Sequence, residues 1–165
     1  MISLGIDASV RSTGLTVITP DDIKVKIIKP GKLKGGARLS YIYQEFTSFM
    51  ENLQPSIVIM EGPSYHSTNK PFLLGEVYGL FKLKCSTSYS LEILLPSPKE
   101  LKKYLCGTGD ATKIQMVKAA GLLGCPSDQE DICDSFSAAL MGMDVLKKTN
   151  TPRTRKALEV LSKYT

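Results

Sequence analysis

Residues 2–28, ISLGIDASVRSTGLTVITPDDIKVKII, decide the fold. Ile2-Ser3-Leu4-Gly5-Ile6-Asp7 alternates, Thr13-Gly14 opens a second run in Leu15-Thr16-Val17-Ile18, and Ile23 to Ile28 is a third run of period two. Pro20-Asp21-Asp22 supplies a turn between the last two. Connections this short join antiparallel neighbours, so the stretch predicts a three-stranded meander. Pro30-Gly31 ends it, and Gly35-Gly36 lies in the loop that follows.

Beyond the meander the period changes. Leu39, Ile42, Phe46 and Phe49-Met50 mark one face of a helix over 37–52, which Pro55 closes. Ser56-Ile57-Val58-Ile59-Met60 is a continuous apolar run, the pattern of a strand buried on both faces, and it stops at Glu61-Gly62-Pro63. A helix over 70–84, a strand at 90–95, and helices over 97–105, 111–122 and 128–148 follow, with a short basic helix at 153–163. The class is α/β: a mixed five-stranded sheet, an antiparallel meander and then parallel strands, flanked by helices. One domain is expected over 1–148, with a basic C-terminal tail over 149–165.

Composition narrows the chemistry. The chain has 165 residues, 42% hydrophobic and 22% charged, which is ordinary for a globular domain. It shows no apolar run long enough for a bilayer, and its N-terminus lacks a secretion pattern. Cys85, Cys106, Cys125 and Cys133 form no Cys-x-x-Cys pair, which argues against a zinc site or disulfide framework and predicts a reduced, cytoplasmic setting. His66 is the single histidine and no Gly-x-Ser-x-Gly elbow occurs, so carboxylates lead the list of reactive groups. Residues 147–165 hold Lys147, Lys148, Arg153, Arg155, Lys156 and Lys163 against Glu159, and so carry the whole net charge of +5. Such a tail is either a solvated end or a grip on phosphates.

Asp7 and Glu61 each close an apolar run, where an ionised carboxylate is costly unless it meets solvent, a partner or a metal. Either alone fits a turn or cap as well as catalysis. Two at equivalent strand ends point to a common sheet edge. Asp131 and Asp134 lie three apart, hence on one helical face, with small Ser135 and Ala138 beside them to allow close approach to the sheet. Ser127-x-x-Glu130 reads as a capping box, which accounts for Glu130, and the helix dipole would account for Asp131 as well. Asp134, one turn in, is harder to explain that way. Carboxylates without histidine or thiolate favour hard cations, two magnesium ions with manganese as substitute, in a site suited to phosphodiester cleavage.

These residues together resemble the RuvC-type Holliday-junction resolvases of the ribonuclease-H-like fold. The resemblance rests on Gly5-Ile6-Asp7 with Arg11-x-Thr13-Gly14, on Ile57 to Glu61, and on Pro98-x-x-Leu101-Lys102 leading to Gly107-Thr108-Gly109-x-Ala111-x-Lys113-x-Gln115-x-Val117. Asp131-x-x-Asp134-Ser135-x-x-Ala138 completes it, so that it spans about 1–145. It implies that Asp7, Glu61, Asp131 and Asp134 are the catalytic metal ligands. It also implies that Lys102 and Lys113, otherwise ordinary solvated helix lysines, sit near the scissile phosphate. The substrate implied is a four-way DNA junction, with Arg11, Tyr65, Lys70, Lys103 and the tail's Arg153, Arg155 and Lys156 as candidate DNA contacts. Other branched DNA, RNA–DNA hybrids, or binding without catalysis are the alternatives.

The chain departs from the family in two places. Ala8-Ser9 stands where Pro-Gly is usual, and no aromatic aligns with the one thought to wedge the junction, Tyr65 being the nearest. The family acts as a homodimer, and symmetric nicking of a two-fold junction requires a two-fold enzyme. The helix over 70–84, apolar around more than one face, is the expected dimer surface or else a buried core helix. The compact length suits a cellular or a viral enzyme.

Overall fold

The computed structural model describes residues 1–63, 71–148 and 150–164. Strands β1 (Ser3–Asp7), β2 (Thr13–Ile18) and β3 (Ile23–Ile28) form the antiparallel meander. After helix α1 (Gly35–Phe49), strand β4 (Ile57–Met60) lies parallel to β1. Helix α2 (Pro71–Tyr89) leads to β5 (Ile93–Leu94), which is parallel to β4. The sheet order is β3-β2-β1-β4-β5. Helices α3 (Pro98–Cys106), α4 (Lys113–Leu122), α5 (Glu130–Lys147) and α6 (Pro152–Leu161) complete the chain. This is the expected α/β sheet flanked by helices. No helix among the described residues is long and apolar enough to cross a membrane.

Alternation along the strands divides the core in two. Leu4, Ile6, Leu15, Val17, Val58 and Met60 point to one face and pack with Ile42 and Phe46 of α1 and Val77, Phe81 and Cys85 of α2. Phe46 and Phe81 meet edge to face with ring centroids 5.1 Å apart, which ties α1 to α2. The opposite face of β1 and β2 presents Ser3, Gly5, Gly14 and Thr16, and α5 lies on it. A Cβ on Gly5 would collide with the Ser135 carbonyl and one on Gly14 with the Asp131 carbonyl. The Ser3 hydroxyl donates to the Ala139 carbonyl (2.7 Å), and the Thr16 and Ser135 hydroxyls are 2.8 Å apart. Small and polar residues on both partners therefore let a helix backbone rest on a sheet, with the hydroxyls of Ser3, Thr16 and Ser135 satisfied. The expected closeness of Ser135 and Ala138 to the sheet is realised, and glycines on the strand side make room for it.

Local signals set several of the helix starts. Ser97 and Glu100 form a reciprocal capping box on α3 with Pro98 in its first turn, and Gly107 ends that helix in the left-handed region at φ 83°. Thr112 and Gln115 form a second box, which moves the start of α4 to Lys113.

Two expectations are corrected. The capping box at Ser127 does not form: α5 begins with Gln129 as N-cap, so Glu130 is one position into the helix instead of three and turns to Lys113. The extension after residue 148 is also no detached tail. Thr151 caps α6 with Pro152 in the first turn, and Thr154, Ala157, Val160 and Leu161 are buried where α6 meets α5 and α3. Its apolar spacing, masked in the sequence by the basic residues between, docks it as part of the domain. Helix α2 runs on to Tyr89, burying Val77, Phe81 and Cys85 while Phe72 and Leu83 stay 88% and 66% exposed. It is thus a core helix along one face only.

Candidate active site

Three elements deliver the acids to one edge of the sheet. Ile6 of β1 is in register with Met60 of β4, and the Glu61 amide continues the ladder by donating to the Ile6 carbonyl at 3.1 Å. Asp7 and Glu61 therefore leave adjacent parallel strands side by side, on the face that α5 covers. The contact of Gly14 with Asp131 places the first turn of α5 over the same edge, so Asp131 and Asp134 join them. Gly62 holds the exit of β4: its amide donates to the Pro96 carbonyl at 2.8 Å, and a Cβ there would press on the Leu95 carbonyl. The Tyr78 hydroxyl donates to the Glu61 carbonyl at 2.5 Å, fixing the backbone from the α2 side.

The turn after Asp7 is built by side chains. Ser9 Oγ accepts from the amides of Arg11 (3.2 Å) and Ser12 (3.1 Å), and Thr13 Oγ1 accepts from the Ser9 amide (3.3 Å) and donates to its carbonyl (3.1 Å). Hydroxyls thus shape the bend where the resemblance would place Pro-Gly. Ser12 at its end donates to the Asp131 carboxylate.

The electrostatics are those of an under-neutralised cluster. Burial, and then the charges of Glu61, Asp134 and Asp131, hold the Asp7 carboxyl well above its ordinary range, with Lys113 opposing them. Burial and Asp134 push Glu61 up to about 7, against the pull of Lys102. Asp134 rises to about 6 through burial, with Lys113 opposing, Glu130 and Asp131 adding, and Lys102 opposing. Lys113, the first residue of α4, pairs with Glu130 and is held protonated by that contact. Lys102 on α3 makes its presence felt on both Glu61 and Asp134.

Among the described residues no three Asp, Glu, Cys or His side chains already converge on one ion-sized point. The donor set nonetheless fits a hard divalent cation. Every candidate ligand is a carboxylate oxygen, and the burial and then mutual repulsion that raise three of the four acids are costs of their charged form that such a cation relieves.

The remaining candidates are scattered. Arg11 is exposed on the turn beside Asp7, and Lys103 is exposed on α3. Arg153 lies elsewhere, paired with Asp144 ten residues past Asp134 along α5, about 15 Å at the helical rise. Arg155 is exposed and Lys156 half-buried on the same α6. Tyr65 and Lys70, like His66, lie outside the described residues. Sequence reasoning missed Ser12, Tyr78 and the pairing of Glu130 with Lys113. Each acts across at least 17 positions, a separation at which no local spacing signals contact.

A sequence model of the family described as crossover junction endodeoxyribonuclease RuvC matches residues 3–142, a span that holds all four acids and both lysines. The chain belongs to the RuvC family. Relatives include the RuvC crossover junction endodeoxyribonucleases of Dictyoglomus thermophilum, 27% identical over 150 residues covering 85% of this chain and 94% of the relative, and of Chloroherpeton thalassium, 29% identical over 152 residues covering 86% and 81%. Thermus thermophilus RuvC shares the fold with a TM-score of 0.72 at 19% identity, over 90% of this chain and 96% of that one. The same Thermus protein in complex with a Holliday junction substrate gives a TM-score of 0.71 at 20% identity, covering 85% and 91%. The RuvC match stops at residue 142, before α6.

Proposed function

We propose that this RuvC-family chain is a structure-selective endonuclease that resolves four-way DNA junctions by paired, metal-dependent hydrolysis of phosphodiesters. The observation that carries this reading is the gathering of Asp7, Glu61, Asp131 and Asp134, without histidine or thiolate, at a sheet edge flanked by Lys102 and Lys113. The names of its relatives, and the junction-bound state of the Thermus protein, support the same substrate.

The four carboxylates would hold the cations, two magnesium ions with manganese as substitute. When bound, these supply the charge that stabilises the transition state and activates water for in-line attack. Asp7 and Glu61, on rigid strand ends, fix one side of the site, and Asp131 and Asp134 close it from α5. Ser12 orients Asp131. Lys113 and Lys102 bring positive charge to the reacting phosphate, and no side chain is needed as a covalent nucleophile. Arg11 and Lys103 extend the cationic surface, with Tyr65, Lys70, Arg155 and Lys156 as further candidate DNA contacts. Two copies related by a two-fold axis, with the exposed side of α2 as their contact, would present two such sites to opposing strands.

The test is incubation of the full chain with a synthetic four-way junction and magnesium. Paired symmetric nicks are expected. Equal cutting of flaps or RNA–DNA hybrids would remove the junction specificity, and no cutting with either magnesium or manganese would remove the nuclease.

A further inference from the structure

A cleft of about 990 Å³ opens beside the turn that follows Asp7, and its walls include Arg11, Lys32, Lys34, Arg38, Leu73 and Leu74. Among the described residues no acid lines it, so it is a cationic groove adjoining an acidic edge. Arg38 is the unusual member. It is 6% exposed, and its Nε is buried without a hydrogen-bond partner among the described residues. Among the described residues the one carboxylate paired with its guanidinium, Glu76, is 3.5 Å from Nη2 and its side chain is 44% exposed. A buried donor without an acceptor is costly, and a bound ion or ligand is one way in which the missing acceptor is supplied.

The start of α1 has the same deficiency at the same place. Lys34 is its N-cap and makes no side-chain capping bond, and its first turn contains no acid. Gly35, Gly36 and Ala37 are exposed and a Cβ on either glycine would meet nothing within 4 Å, so the first turn of this 15-residue helix, with its orphan amides, is open to approach. Bare amides, the positive end of the helix dipole and a planar cationic fork together suit a tetrahedral dianion or a phosphodiester.

We propose that Arg38 and the amino end of α1 form a receptor for one backbone phosphate of the DNA, outside the scissile linkage, with Arg11, Lys32 and Lys34 guiding the neighbouring phosphates. The proposal rests on the nuclease reading of the acid edge. A run of four cations leading away from Asp7 fits a polyanionic strand better than a single small anion. Leu73 and Leu74 line the same groove, where sugar rings could lie. Arg38 is then a positioning residue: it sets which phosphate reaches the acids. Glu76 neutralises it when no DNA is present.

The experiment measures binding of the full chain to a fluorescent four-way junction in metal-free buffer, using junctions that carry one neutral methylphosphonate at a time. Wild type should lose about tenfold in affinity at one position on the strand. Arg38→Gln and Ala37→Glu should bind the ordinary junction about tenfold more weakly and be indifferent to methylphosphonate at that position. Ala37 is exposed at the start of α1, and an acid there favours the helix, so Ala37→Glu should melt no lower than wild type. It decides the matter should Arg38→Gln fail to fold. Junction binding by Ala37→Glu equal to wild type, or an undiminished methylphosphonate effect in it, overturns the receptor while leaving the nuclease reading intact. A wild type that neither binds nor nicks junctions overturns both.

Discussion

At its amino end α5 brings Asp131 and Asp134 to Asp7 and Glu61, where three carboxyls are forced above their ordinary range. Near its carboxy end the same helix buries Asp144, which accepts from the Tyr104 hydroxyl at 2.8 Å and from Arg153 Nε and Nη2 at 2.5 and 3.1 Å. Close by, Glu100 on α3 accepts from Lys163 (2.8 Å) and Tyr164 (2.9 Å). One helix thus spans two kinds of acid. Where only stability is at stake, each carboxylate has donors that match its lone pairs. Where the proposed cations would enter, burial and repulsion are left standing, and the fold bears their cost through the packing of α5 on β1 and β2.

The sharpest way to break this contrast is to exchange the outcomes. Asp7→Asn should lower the rate of junction cleavage by on the order of a thousandfold, leave junction binding intact and raise thermal stability slightly. Cleavage assays and thermal melts on one preparation read both, and undiminished cleavage would remove Asp7 from the site. Asp144→Ala should do the reverse: about 2–3 kcal/mol of stability lost, with cleavage per folded molecule unchanged. Denaturant titration measures the loss. A drop in cleavage without a drop in stability would show that the carboxy end of α5 serves the reaction.

The two regions should also answer pH with opposite sign. Glu61 at about 7 and Asp134 at about 6 bind protons more tightly folded than unfolded. Their stabilising contribution is complete below the unfolded values near 4 and is lost as pH rises through 6 and 7. Metal-free protein should therefore lose on the order of 2 kcal/mol between pH 5 and 8, and magnesium should restore it. Melting temperatures in chelator and in magnesium across that range test this; a flat profile in chelator would mean that neither burial nor mutual repulsion holds these acids up.

Glu100 shows the other sign. Burial alone would raise it, but hydrogen bonds from Lys163, the Ser97 amide, Tyr164 and the Ser97 hydroxyl bring it down to about 2. Its contribution is present above the unfolded value of 4.5 and is lost as pH falls toward 2. Glu100→Gln should cost about 1 kcal/mol at neutral pH and flatten the acid limb of the stability curve below 4.5. A melt series from pH 7 to 2 would show an unchanged acid limb if the contact of Glu100 with the chain end is immaterial.

Much of the site was readable because its parts are local. A carboxylate that ends an apolar run, as Asp7 and Glu61 do, is conspicuous in one dimension, and so is an i, i+3 pair such as Asp131 and Asp134. The assignment of Glu130 to a capping box failed because α5 starts two residues later than Ser127 suggests. Whether an acid caps a helix or pairs with a lysine 17 residues upstream depends on where the two elements dock. The pairing of Arg153 with Asp144 was not foreseen for a simpler reason. A basic residue near a chain end looks solvated until the fold supplies its partner.

What the sequence by itself determined is the periodicity: two-residue alternation over 2–28, the apolar run of β4, the capping boxes of α3 and α4, and the identity of the acids. These depend on neighbours within one or two turns of chain. Tertiary structure alone decided that Gly5 and Gly14 would admit the backbone of α5, that Ser12 would hold Asp131, that α6 would dock and take Arg153 to Asp144, and that the Nε of Arg38 would be buried without a hydrogen-bond partner among the described residues. Each of these joins elements far apart in the chain, and the energy of such contacts depends on geometry that no local pattern encodes.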